Sequence, residues 1–78
     1  MNTSYLSKIK KIIEHKNGVD PAEITPESYF EDDLNISEME LIDILGELEE
    51  FYHIDLIEAK DDIESVGDLL ELLSEKLD

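Results

Sequence analysis

Seventy-eight residues provide for one domain, spanning 1–78, with a single modest core, and the absence of cysteine excludes disulfides, thiolate metal sites and a thiol nucleophile. The formal net charge of −16 is unevenly spread: Lys8, Lys10, Lys11 and Lys16 meet only Glu14 within the first eighteen residues, whereas from Val19 onward 21 acidic residues meet Lys60 and Lys76. Such a surface repels phosphate backbones and anionic lipid, which argues against nucleic-acid and membrane partners and favours partners with a basic patch.

The N-terminus, MNTSYLSKIKKIIEHK, lacks the unbroken apolar segment of a signal peptide. No run approaches the roughly 20 apolar residues that cross a bilayer, so the expectation is a soluble, cytoplasmic monomer. A first helix is predicted from about Ser4 to His15 or Lys16, with Leu6, Ile9 and Ile13 on one stripe and Ile12 at its flank. His15 and Lys16 suit the negative end of its dipole, and Asn17-Gly18 supplies the stop. Residues 19–36 form a long connection that holds both prolines. Its apolar residues Val19, Ile24, Phe30 and Leu34 are irregularly spaced, so the loop is expected to be pinned to the core at several points. A short helical turn is expected at Pro21–Ile24 or Pro26–Phe30.

The second helix begins at Ser37 or Glu38 and ends near Tyr52. Ser37 followed by Glu40 forms a capping box. Leu41, Ile44, Leu45, Leu48, Phe51 and Tyr52 gather on the core side, with Ile42 at its margin, while Met39, Glu40, Asp43, Gly46, Glu47 and Glu50 gather on the other. A single turn is expected at Leu56–Asp61. A last helix starts at Glu64 or Ser65, with Val66, Leu69, Leu70, Leu73 and Leu77 at helical spacing. Nothing alternates like a strand, so the fold class is all-α, a small bundle.

Three segments in order carry a family resemblance. The run ITPESYFEDDL, Ile24 to Leu34, resembles the approach to helix II of acyl carrier proteins. The apolar and acidic spacing after it resembles helix II itself, and ESVGDLLELL, Glu64 to Leu73, resembles the family's last helix. The resemblance implies a four-helix bundle with a long loop between the first two helices and a short third helix. It also implies a 4′-phosphopantetheine arm on a serine within Gly-x-Asp-Ser-Leu/Met, at the start of helix II.

Aligned without gaps, Asn35, Ile36, Ser37, Glu38 and Met39 occupy those five positions, so Ser37 falls on the aspartate and Glu38 on the serine. Moving Ser37 into register costs one deletion and rotates the downstream helix by about 100°. The ungapped register is therefore preferred. Ser37 remains the candidate attachment residue in the gapped one, and Glu38 offers at the helix N-terminus the negative charge that a phosphodiester would bring.

The resemblance further implies that the outer side of helix II meets basic patches on enzymes. Met39, Glu40, Asp43, Gly46, Glu47, Glu49 and Glu50 are the partner-binding candidates. The partners implied are a phosphopantetheinyl transferase and acyl-processing enzymes of fatty-acid or related acyl and secondary metabolism. Two functions follow: a carrier armed at Ser37, or a carrier-like interaction protein that lacks the arm because Glu38 replaces the serine.

An enzyme is not expected, since no nucleophile–base pair or metal set is visible. Asp33-x-Asn35-x-Ser37 fails as a calcium loop, because Glu38 stands where glycine is needed and Ile44 where the bidentate acid belongs. No dedicated metal site is expected. His15 and His53 read as helix-end residues, and Ser65 as the start of the last helix.

Overall fold

Helix α1 (Thr3–Asn17) begins one residue before the expected start and runs through to Asn17. Its buried stripe is broader than expected: Ile12 is core rather than flank, Tyr5 joins Ile9 and Ile13, and Leu6 is only half buried. His15 and Lys16 occupy the last turn. Gly18, at φ +70°, then donates its amide to the Glu14 carbonyl at 3.0 Å, a left-handed stop that costs glycine little. The computed structural model describes residues 3–77; Met1, Asn2 and Asp78, the ends of the expected domain, lie outside the described residues.

The long connection is pinned as its scattered apolar residues require. Ile24, Phe30, Leu34 and Ile36 are buried, and Val19 packs partly against the core. Pro21–Glu23 forms a 3₁₀ turn, opened by Asp20, whose carboxylate accepts from the Ala22 amide at 2.9 Å. At the alternative position for that turn, Pro26–Phe30, the chain runs instead into an isolated antiparallel bridge, Tyr29 with Ser65. There Phe30 donates to the Glu64 carbonyl at 3.0 Å, Val66 to Ser28 at 2.9 Å and Gly67 to Pro26 at 2.8 Å. Ser28 is the buried polar residue of the loop. Its hydroxyl donates to the Glu23 carbonyl and accepts from the Thr25 amide, each at 3.1 Å, which offsets the cost of burying it.

Helix α2 (Glu38–Tyr52) buries Leu41, Ile44, Leu45 and Leu48. A fully buried leucine or isoleucine contributes about 1.5–3 kcal/mol, so this stripe is enough to hold α2 against the core. Phe51 does not belong to it. The ring is 57% exposed, lies edge-on to Tyr52 with centroids 4.8 Å apart, and carries the Lys8 ammonium 3.9 Å above it. The helix ends one residue later, at Tyr52, and His53 caps it in the left-handed conformation at φ +60°. Tyr52 is half buried with its ring edge-on to Tyr5, and burial pushes its phenol up.

The short third helix is 3₁₀ (Ile57–Asp62), held down by buried Leu56 before it and Ile63 after it. Helix α3 (Val66–Leu77) buries Val66, Leu69 and Leu73 and packs Leu70, Leu72 and Leu77 partly against them. It starts on a reciprocal cap. Ser65 Oγ accepts from the Asp68 amide at 3.2 Å, while the Asp68 carboxylate accepts from Ser65 at 3.1 Å and Glu64 at 3.0 Å. Helix α1 lies against α2, α3 and the Pro21–Glu23 turn, and α2 lies against the 3₁₀ helix. The fold is the expected all-α four-helix bundle with a short third member. Among the described residues no helix is long and apolar enough to cross a membrane.

Candidate functional site

The chain enters α2 through three residues of different character. Asn35 has φ +56°, a left-handed conformation that asparagine tolerates better than most side chains. Ile36 turns inward and is 2% exposed. Ser37 is extended and caps the helix: its Oγ accepts from the Glu40 amide at 3.3 Å, and Glu40 Oε1 accepts from the Ser37 amide at 2.9 Å. The expected capping box is present. Ile36 and Leu41 stand at the two positions of a hydrophobic staple, both buried beneath it.

Glu40 does more than cap. Its other oxygen accepts from Asn17 Nδ2 at 2.9 Å, joining the end of α1 to the start of α2. The hydrogen bond from the Ser37 backbone, then those from the Ser37 hydroxyl and Asn17, hold its carboxyl below the usual range.

Glu38, the first residue of α2, reaches across to the 3₁₀ helix. Its carboxylate lies 2.6 Å from the Lys60 ammonium, which also meets Asp61 at 3.1 Å, and these acids raise the Lys60 pKa, Glu38 most. The pair stands at the edge of an open cleft of about 360 Å³ whose floor is Phe30, Ile36, Leu41 and Ile63. Sequence reasoning missed Lys60. The available signal was its rarity, since it is one of only two lysines after residue 18.

Along the rest of α2 the partner-binding candidates divide. Met39 is 80% exposed. Glu40, Asp43, Glu47 and Glu50 are exposed too, with Glu47 3.6 Å from Lys16. Gly46 has open space where a Cβ would stand. Glu49 does not share this surface freely. Half buried, its carboxylate accepts from the Leu56 amide at 2.6 Å and the Ile57 amide at 2.9 Å, which hold its pKa down and tie the 3₁₀ helix to α2. His53 is the helix C-cap and Ser65 lies in the α3 cap. Among the described residues no group of three or more histidines and acids is placed to hold a metal ion.

The bundle, with a buried leucine–isoleucine stripe and an acidic outer side on α2 and a long pinned loop leading into it, has the architecture that the resemblance to carrier proteins implies. No family model matches the chain. The sequence is similar to the acyl carrier protein of Streptococcus pneumoniae serotype 4 (strain TIGR4), at 38% identity over 69 residues covering 88% of this chain and 90% of the relative. The acyl carrier protein of Streptococcus pneumoniae strain R6 gives the same figures. The chain belongs to the acyl carrier protein family.

Proposed function

We propose that this protein is a docking module of acyl metabolism, fatty-acid synthesis or a related pathway, which presents the outer side of α2 to basic patches on acyl-processing enzymes and performs no catalysis itself. The observation that carries the reading is Met39, an 80% exposed methionine at the head of a row formed by Asp43, Glu47 and Glu50. A flexible thioether adapts to a partner's pocket, while the carboxylates steer a positive surface into place and set its register. Gly46 leaves room beside them for a close approach. The cytoplasm, where such enzymes work, is the proposed compartment.

The family implies a 4′-phosphopantetheine arm, and Ser37 does not fit it. Its hydroxyl is already the acceptor for the Glu40 amide, and the Glu40 carboxylate stands 2.9 Å from the Ser37 nitrogen. A phosphodiester on that oxygen would place one further anion close to the carboxylates of both Glu40 and Glu38. The geometry therefore favours docking without an arm at Ser37.

Docking is tested by competition. A phosphopantetheinyl transferase that loads the streptococcal acyl carrier protein is assayed with this chain added. The expected result is a rise in the apparent KM for the streptococcal protein that weakens with salt and disappears in Asp43→Lys/Glu47→Lys. No competition at low ionic strength would overturn the proposal.

A further inference from the structure

We infer that position 38, not Ser37, is where this fold would hold a tethered group, and that Glu38 paired with Lys60 has closed it. The inference rests on membership of the family and deepens the armless reading, but it does not depend on which surface α2 presents to partners.

The backbone fixes the register through three consecutive requirements. Where the family's motif reads glycine, this chain has Asn35 at φ +56°, a conformation glycine adopts freely. Where the motif reads aspartate, this chain has Ser37 as helix cap, and aspartate and serine are near-equivalent caps. The motif's serine then coincides with the first helical residue, Glu38. The gapped register fails on the same ground: it sets Ile36, 2% exposed and unable to cap, on the aspartate.

The side chain at 38 has the placement a tether needs. Its surroundings leave it 66% exposed, and it stands beside the cleft floored by Phe30, Ile36, Leu41 and Ile63. Glu38 spends that placement on a 2.6 Å ion pair with Lys60, which spans from α2 to the 3₁₀ helix beside the cleft. Carboxylate and phosphodiester share negative charge at a helix N-terminus, so the local electrostatics survive the replacement while the nucleophilic hydroxyl is gone.

Restoring that hydroxyl restores the chemistry. In Glu38→Ser the introduced oxygen attacks the coenzyme A phosphorus that bears the pantetheine. A serine O–P bond forms, the pyrophosphate P–O bond breaks, adenosine 3′,5′-bisphosphate leaves, and the hydroxyl proton passes to the transferase. Intact mass spectrometry after incubation with coenzyme A and a broad-specificity phosphopantetheinyl transferase reads the result, with the streptococcal acyl carrier protein as loading control.

The wild type and Ser37→Ala are expected to gain nothing. Glu38→Ser is expected to gain one phosphopantetheinyl group, as is Ser37→Asp/Glu38→Ser, which recreates Asp-Ser-Met. A gain by the wild type that Ser37→Ala abolishes would overturn the inference. So would failure of both Glu38 variants to load while circular dichroism shows them folded and the control loads. Loading of Glu38→Ser without any competition by the wild-type chain would leave this inference standing and remove the docking proposal alone.

Discussion

Helices α2 and α3 open with the same local device, a serine that accepts from the amide three residues on and an acid there that reaches back, yet the two starts are differently placed. Around Ser65 the device is enclosed: the loop carbonyls of Ser28 and Pro26 take the Val66 and Gly67 amides, and a Cβ on Gly67 would stand 2.9 Å from the Pro26 oxygen. Around Ser37 it is open, with Ser37, Glu38, Met39 and Glu40 all exposed. The cap is a local property of three or four residues. Whether it becomes a joint or an accessible position depends on what the rest of the chain lays against it.

Substitutions that act on one start and spare the other test this contrast. The largest effect belongs to Gly67→Ala, which forces the loop and α3 apart. A loss of about 1–3 kcal/mol is expected from such overpacking, read as a lower urea midpoint with unchanged slope. Next come the caps. Ser65→Ala and Ser37→Ala each cost about 0.5–2 kcal/mol, with Ser65 toward the upper end because its surroundings are less hydrated. Equal losses would break the comparison.

Smaller again, and opposite in sign, is Gly46→Ala on the open side of α2. With nothing within 4 Å of the added Cβ, it should stabilise the fold by up to about 1 kcal/mol, and a loss instead would mean that the α2 surface is not open there.

The smallest effect is a pH dependence. Amides of Leu56 and Ile57 hold the Glu49 carboxyl below its ordinary value. Through the carboxylate range the unfolded chain therefore binds more protons there than the folded one. The stabilisation is present at neutral pH and disappears as pH falls through the lowered pKa. Glu49→Gln should unfold at a lower urea concentration than the wild type at pH 7, and the gap should narrow under acid. A gap independent of pH would assign the effect to packing.

Much of this architecture was legible because helical burial has a period. Ile9 and Ile13, then Leu41, Ile44, Leu45 and Leu48, and then Val66, Leu69 and Leu73 repeat at three and four residues and are core, while Leu70 on the same period is partly buried. Phe51 continues the α2 period and is still exposed, since period says nothing about where the neighbouring elements stop covering a helix. The bridge between Tyr29 and Ser65 was invisible because one pair of residues has no alternation to read.

The site shows the same division. The Ser37–Glu40 cap spans three residues and was readable, as was the exposed character of Met39. The engagement of Glu49 by residues seven and eight positions on, and of Glu38 by Lys60, required the chain to reverse first. Asn35 lay between the two cases: its left-handed backbone is what the glycine of the family motif anticipates, once the ungapped register is taken literally.

The concentration of lysines on α1, four in a single element of an otherwise acidic molecule, has a consequence for approach rather than for contact. Separated charge of this kind gives the protein a permanent electric moment. In the field of a positive surface the molecule experiences a torque that turns its acidic pole toward that surface before the two bodies touch. Added electrolyte shortens the range of that torque to about 8 Å at physiological ionic strength, so orientation is settled only in the last layers of water.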